Sequence, residues 1–402
     1  MRGAALILLI IILGVIPSHG REIKRDPESG VIRVIYIGMP FSASPYQVFK
    51  YDPLLSTLPI QGNLYGISQS NVQRSMRLYM PRTLDDMVEN HDIIGLDDTT
   101  FTAFPAQTIQ WMVDGCTDHA LGLFMAGGFE SFGGGAGFPS WDNTILREVL
   151  PVVCMDEYGD DGRVEISKAD DDLVRSIPWE NGYDQHNVFG GYNVVQVKQG
   201  ATQISKTIRL KGGPDDPGWV WWDIGKGRFF ASAPGFRGGS AGRGFIRWKH
   251  YPDFVSNMVY FLAGLTPPTD ITLLYTTRAS FRDIQDQRQT ILGLLDFIGK
   301  FGADTRKVDE KLSEAEERLR DAKRDFVDLQ LEDSRNAAED VLEILGEAYD
   351  LAFEARDTAL FWIFLTEWLA VSGTGLICGF IVWTLMIKRR LYREVQVTRG
   401  GM

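Results

Sequence analysis

A chain of 402 residues exceeds what one ordinary core accommodates, so at least two regions are expected. Its formal net charge of −12 argues against a nucleic-acid partner. Three cysteines are too few for a disulfide-stapled scaffold, although Cys116 and Cys154 have the option of pairing with each other.

Met1–Gly20 has one Arg, an unbroken apolar stretch, then Pro17 and small residues. It reads as a secretory signal peptide cut after Gly20, the alternative being an uncleaved signal anchor. Residues 21–30 form a polar linker. Val31–Ile37 is strongly β-branched and predicts a first strand. A proline-rich stretch follows, mostly loop, with a strand expected near Val72–Tyr79. Thr83–Glu89 predicts a short helix capped by Thr83, with Asp85 and Asp86 in its first turn. Asp92–Leu96 is a buried strand, Pro105–Val113 a helix and Ala120–Ala126 the next strand. That strand delivers a turn holding Gly127, Gly128, Gly133, Gly134, Gly135 and Gly137, residues that tolerate unusual backbone angles and the close approach of a ligand. A helix over Thr144–Val149 and a return to strand at Leu150–Val153 complete an alternation that implies an α/β fold, with a doubly wound, mainly parallel sheet.

Beyond residue 155 the texture changes. The acidic clusters at Asp156-Glu157, Asp160-Asp161 and Asp170–Asp172 lack the spacing of a calcium loop, so they read as solvated turns and no metal site is expected. Strands are predicted at Asn193–Val197, Thr202–Leu210 and Gly218–Asp223. Gly225–Ala231 is expected as a hairpin partner or the terminal strand of the sheet. An amphipathic helix over Tyr251–Leu265 closes this domain, which spans 31–265, and Thr266-Pro267-Pro268-Thr269 opens a linker over 266–278.

From Ala279 to Asp357 the chain is charged and free of proline. Val308, Leu312, Ala315, Leu319, Ala322, Phe326 and Leu329 alternate steps of four and three, a coiled-coil seam that resumes at Val341, Ile344, Ala348, Leu351 and Ala355. Gly302 and Asp304 read as a C-cap and an N-cap, so Ala279–Phe301 is a separate helix. Two arrangements fit residues 279–358: an antiparallel hairpin within one chain, or a stalk built from several chains. As one straight helix, Thr305–Asp357 reaches ~80 Å at ~1.5 Å per residue. Residues 359–387 are a membrane-proximal helix and a span. The apolar run Trp368–Ile387 covers ~30 Å, the thickness of a bilayer core. The basic residues Lys388, Arg389, Arg390 and Arg393 in the tail 388–402 place the C-terminus in the cytoplasm and the N-terminal domain outside the cytoplasmic membrane. Gly375 and Gly379 form a small-xxx-small face compatible with dimerisation, and a homo-oligomer through the helical region is expected.

The stretch LGLFMAGGFESFGGGAGFPSWDNTILREVLPV (121–152), followed by WWDIGKGRFFASAPG and FIRWKHYPDFVSNMVYFLAGL, resembles the class I glutamine amidotransferase-like superfamily. More narrowly, it is similar to the branch related to trehalose-utilisation-type domains. The resemblance covers 31–265 and implies a flavodoxin-like sheet with its site at the turn after a central strand. The family's glutaminase members need a Cys nucleophile in a G-x-C-x-G elbow and a distant His-x-Glu pair, because a thiolate attacks the carboxamide while His shuttles the proton. Here the turn holds Gly127, Gly128, Phe129, Glu130 and Ser131, without Cys, and no His-x-Glu pair follows.

These five residues are the expected ligand-binding set. Glu130 and Ser131 are candidate catalytic groups, with His186 as the candidate partner in a loop at the sheet top. The competing expectation is that Phe129 and Glu130 plug and cap a vestigial site. Cys116, three residues before His119, is expected to be structural. Trp219, Trp221, Trp222 and Trp248 offer either a sugar-stacking platform or an aromatic core. No cofactor is implied. The reading that follows is a membrane-anchored ligand-binding or scaffolding module, with a small ligand, glycan or membrane-protein partner. An amide or ester hydrolase, or a subunit of a membrane complex, are the alternatives.

Overall fold

The computed structural model describes residues 23–40, 44–64, 67–133, 135–236 and 244–399. The expected signal peptide and Gly134 lie outside the described residues. The chain divides into two compact units, one over residues 1–275 with 327–329, the other over 276–326 and 330–402.

The first unit opens with β1 (Ile32–Gly38), α1 (Tyr46–Phe49), β2 (Leu55–Gln61), α2 (Gln69–Tyr79), α3 (Leu84–Asn90), β3 (Ile93–Asp97), α4 (Ala106–Asp118) and β4 (Gly122–Ala126). It continues with β5 (Val152–Gly159), β6 (Gly162–Ile166), β7 (Val188–Phe189), β8 (Tyr192–Val197), β9 (Thr202–Gln203) and β10 (Ser205–Arg209). The last elements are β11 (Asp216–Pro217), β12 (Trp219–Ile224), β13 (Gly227–Ser232) and α5 (Tyr251–Leu262).

Seven strands form the main sheet in the order β2-β1-β3-β4-β13-β12-β9, parallel from β2 through β13 and antiparallel beyond. Both faces are covered. Ile35, Ile37, Ile94, Leu96, Leu123, Met125, Phe229 and Ala231 point to one side, against Val72 and Met76 of α2, Met87 of α3 and Met112 of α4. Tyr36, Phe124 and Phe230 point to the other, where Phe49 of α1 and Phe254 of α5 meet them edge to face. This alternation, with apolar side chains on both sides of each strand, explains why the strands read as continuous hydrophobic runs. The Tyr260 hydroxyl of α5 donates to the Asp52 carboxylate at 2.8 Å, tying the closing helix to the β1–β2 connection.

Several expectations change. Val72–Tyr79 lies in helix α2, whose N-cap Ser68 accepts a hydrogen bond from the Asn71 amide; Val72 and Met76, four residues apart, supply its one buried stripe. A strand sits instead at Leu55–Gln61, where Pro59 occupies an edge position that needs no ladder donor. The helix expected over Thr144–Val149 is one 3-10 turn, Ile145–Glu148. Leu150–Val153 does not return to the main sheet: β5 pairs with β8 in a separate antiparallel ribbon. The predicted strand Thr202–Leu210 is split at Ile204, β9 joining the main sheet and β10 a four-stranded sheet with β11, β6 and β7. Of the two expectations for Gly225–Ala231, the hairpin partner holds and the terminal strand does not: β13 is antiparallel to β12 across a tight turn, and it is interior, parallel to β4. Gly95, in the middle of β3, faces the Phe124 ring, which a Cβ would approach to 2.0 Å.

The second unit is built from α6 (Ile271–Gly299), α7 (Arg306–Val327) and α8 (Leu331–Arg399). Helix α6 begins inside the segment expected to be linker. The α7–α8 ion pairs Lys311–Glu347 (2.7 Å) and Arg318–Asp340 (2.6 Å) run in opposite chain directions, as do the α6–α7 contacts Arg288–Glu316 and Phe281–Phe326, so α7 is antiparallel to both α6 and α8. Phe281 and Phe326 meet edge to face at 5.5 Å. Val308, Leu312, Ala315, Ala322 and Phe326 are buried within this single chain, against Phe281, Ile284, Ile291 and Ile298 and against Val341, Leu345, Ala348 and Ala352. The stripe of α8 thus runs through Leu345 and Ala352 rather than Ile344, Leu351 and Ala355. The straight helix over Thr305–Asp357 does not form, because residues 328–330 break it, with Leu329 left-handed at φ 58°. Helix α8 contains one segment long and apolar enough to cross a membrane, with a mean hydropathy of 1.9.

Gly95→Ala forces a methyl into the Phe124 ring and is expected to cost about 1–3 kcal/mol. A lowered thermal midpoint of the full-length chain, with unchanged far-UV circular dichroism at low temperature, checks this.

Candidate functional site

The parallel strands end together. Asp97 of β3, Ala126 of β4 and Ser232 of β13 are register partners, so the loops after them share one edge of the sheet. Edges of this kind carry ligands in open α/β sheets. The loop after β4 holds Gly127–Phe132, the loop after β3 holds Asp98–Thr100, and Asn63 and Leu64 arrive from the end of β2.

Gly127 and Gly128 of the turn are there for packing. A Cβ on Gly127 would lie 1.9 Å from the Ala233 carbonyl oxygen, and one on Gly128 would lie 2.1 Å from the Asp98 carboxylate. The space a ligand was expected to use at these two positions is taken by the protein itself. Beyond them, the non-glycine residues Asp98 and Phe132 adopt positive φ of 50° and 55°. Phe132 is nonetheless fully buried. Such backbone costs ~1–3 kcal/mol where neighbours do not over-determine it.

Hydrogen bonds supply that over-determination. The Asn193 side chain of β8 accepts from the Gly128 amide at 3.0 Å and donates to the carbonyls of Ser131 (3.0 Å) and Gly133 (3.1 Å). Asp98 accepts from the Glu130 amide at 2.8 Å and from the Asn63 side-chain amide at 2.9 Å. The indole of Trp141 donates to the Thr99 carbonyl at 2.9 Å.

The expected catalytic groups are occupied in the same network. The Ser131 hydroxyl is fully buried and accepts from the Thr99 amide at 3.2 Å. The Glu130 carboxylate is 4 % exposed and accepts from the Leu64 amide through both oxygens, at 2.8 and 3.1 Å. His186 is not brought to them. It follows the 3-10 turn Tyr183–Gln185 and leads into β7 of the four-stranded sheet, and its Nδ1 is buried without a hydrogen-bond partner among the described residues. The chain after the turn runs through 3-10 segments at Gly135–Gly137, Trp141–Asn143 and Ile145–Glu148, so no α-helix starts there to lower a nucleophile's pKa.

Cysteine chemistry is equally remote. Cys116 and Cys154 are buried free thiols. Burial, with the nearby Asp142 carboxylate, pushes the Cys154 thiol far above its ordinary range. Trp219 stacks on Phe254 at 4.4 Å, Trp179 stacks on Trp248 at 5.1 Å, and Trp219 and Trp248 are buried, so these two belong to the core. Trp221 is half-buried, its N–H bonded to Asp171 and its ring under the Arg228 guanidinium.

What remains accessible is Phe129, 51 % exposed, with its ring 5.0 Å from that of Tyr158. Burial, then Asp98 and Asp161, push the Tyr158 hydroxyl up to about 12, so it stays a neutral donor. Asp98, Asn63, Asn193 and Tyr158 were not singled out from the sequence. The Asp97-Asp98 pair at the end of a predicted strand was a signal for the first of them. Asn193 had none, since its partner loop is 60 residues away. Among the described residues, no cluster of His, Cys, Asp and Glu could hold a metal ion.

Residues 92–264 match the family model described as "Putative glutamine amidotransferase". Among solved structures, the chain is similar to "Cytoplasmic Protein STM3548 from Salmonella typhimurium", with 18% identity and a TM-score of 0.45 over 57% of this chain and 99% of that one. It is also similar to "Cytoplasmic Protein STM1381 from Salmonella typhimurium LT2", with 18% identity and a TM-score of 0.43 over 57% and 99%. The carbohydrate deacetylase Agd3 matches at 9% identity and a TM-score of 0.37, over 59% of this chain and 32% of that one. No curated protein matches the chain.

Asn193→Ala removes one acceptor and two donor contacts from a buried turn, and a loss of at least about 3 kcal/mol is expected at ~1–3 kcal/mol per stranded group. Urea unfolding of the variant checks it. Cys116 and Cys154 are expected to resist iodoacetamide in the native protein and to react once it is unfolded, as read by mass spectrometry. The first unit thus contains, at residues 92–264, a region that matches the glutamine amidotransferase-like family model and whose glycine turn carries no cysteine.

Proposed function

We propose that this chain is a membrane-anchored binding or scaffolding protein, with a catalytically silent amidotransferase-like domain held outside the cytoplasmic membrane. The observation that carries the reading is the use of both polar side chains of the turn in internal bonds: Ser131 to the Thr99 amide and Glu130 to the Leu64 amide. A nucleophile needs a base within reach and a lone pair free to attack. Ser131 has its oxygen turned into the fold, and His186 stands at the end of a 3-10 turn that leads into another sheet. The groups left for recognition are the exposed Phe129 ring and the neighbouring Tyr158. An aromatic surface of that kind suits a small ligand, the apolar face of a glycan, or a membrane-protein partner.

Anchoring is supported by the apolar segment of α8 and by the basic residues after it, which orient the C-terminus to the cytoplasm. Self-association of the chain would use a surface other than the α7 seam, which one chain already buries. Gly375 and Gly379 in the span offer such a surface.

Glu130→Ala and Ser131→Ala test the silent turn. Each is expected to lower stability by about 1–3 kcal/mol, because a buried amide loses its acceptor, while leaving the full-length protein's rates on amide and ester substrates at background. Turnover by the native chain that either variant abolishes would establish a hydrolase instead. Protease added to intact spheroplasts should remove the N-terminal domain and spare the tail. Protection of the domain would reverse the orientation.

A further inference from the structure

Helix α8 runs unbroken from the bundle of the second unit into its apolar segment. The basic run at Lys388–Arg390 marks one limit of that segment. Counting back ~20 residues, the length that fills a ~30 Å hydrocarbon core, puts the other limit at Trp368, beside Glu367. Aromatic exposure does not stop there. Phe361, Trp362 and Phe364 are 61, 59 and 66 % exposed, although they precede that limit. Trp362 stands roughly 9 Å above Trp368 at ~1.5 Å per residue. The headgroup layer reaches roughly 5–8 Å beyond the hydrocarbon on each side. Trp362 therefore falls at the outer edge of that layer.

The turn between α6 and α7 sits at the same level of the bundle. A groove of about 500 Å³ is lined by Phe301, Asp304 and Lys307 from the turn and by Glu354, Thr358 and Trp362 from α8. Phe297 and Phe301 leave the bundle here, 44 and 47 % exposed, their rings 5.1 Å apart. Two aromatic rings turned to water at the tip of a helical hairpin gain nothing there. At a bilayer interface they match the belt where aromatic side chains concentrate. Of the charges beside them, Lys300 pairs with Asp296 at 2.9 Å and Arg306 with Asp304 at 2.7 Å, while Lys307 and Glu354 line the groove itself, where an ammonium suits a lipid phosphate.

We propose that the α6–α7 turn is a lipid-binding foot, in which Phe297, Phe301 and Trp362 enter the headgroup layer and the groove between turn and α8 holds a phospholipid. This rests on the reading of α8 as a membrane anchor. The consequence is that the helical unit meets the membrane at two places, the span and the turn, which restricts its tilt.

Site-directed fluorescence on the full-length chain in phospholipid nanodiscs tests the proposal. In a Cys378→Ser background, bimane is placed at Phe301→Cys, at Lys323→Cys near the other end of α7, and at Leu376→Cys within the span. Quenching is read with lipids bearing a nitroxide on the headgroup or deep in the acyl chain. The label at 301 is expected to be quenched several-fold more by headgroup nitroxide than the label at 323, and the label at 376 by the acyl-chain nitroxide. Quenching at 376 with none at 301 overturns the foot and leaves the anchor standing. Absence of quenching at both overturns the anchor and the foot with it. A label at 301 silent to lipid and shifted only as chains are crowded together assigns the groove to a second copy and also overturns the proposal.

Discussion

The Asn193 side chain is the contact on which the sheet-top loop depends. A loop with left-handed Phe132 and no helix behind it has backbone groups that no regular element satisfies. One primary amide, able to accept and donate at once, reaches the Gly128 amide and the Ser131 and Gly133 carbonyls. The bonds also fix which end of the amide is oxygen, because only an acceptor suits Gly128 and only a donor suits the carbonyls. The β5–β8 ribbon exists at the place where this side chain is needed, outside the seven-stranded sheet.

This clamp changes the meaning of the glycines. In a phosphate- or nucleophile-bearing turn, absent side chains make room for a ligand. Here Gly127 and Gly128 make room for the Ala233 carbonyl and the Asp98 carboxylate, so the loops after β4, β13 and β3 close on each other. Glu130 and Ser131 then face inward and serve as acceptors for two loop amides. A carboxylate and a hydroxyl buried in this way stabilise the loops by satisfying the Leu64 and Thr99 amides. The exposed ring of Phe129 is what the closed turn leaves outside.

The second unit follows a different economy of forces. Its helices are strongly charged outside, and the cross-helix pairs are exposed, so each contributes little by itself. The apolar stripes do the holding. Because three stripes from one chain cover each other, the heptad of α7 is satisfied without a partner chain. A heptad pattern states that a face must be covered, and it is silent about which helix covers it. The break at residues 328–330 settles that question by turning α8 back along α7.

Local pattern was sufficient for much of this molecule. The apolar runs at β1, β3 and β4, the Thr83 cap, the closing helix α5 and the apolar segment of α8 all follow from near neighbours in the sequence, since burial on both faces and helical period are written locally. The glycine turn was legible for the same reason. Other features needed the folded chain. Val72 and Met76 gave a pattern too sparse to separate helix from strand, and Pro59 concealed an edge strand. The interior place of β13 is a matter of sheet order, which no local pattern encodes. The inward roles of Glu130 and Ser131 and the clamp by Asn193 depend on atoms more than 30 residues apart in the chain. Sequence determined where a loop must bend, but only the tertiary structure decided what fills the bend, because packing and hydrogen bonding act between surfaces that meet after folding.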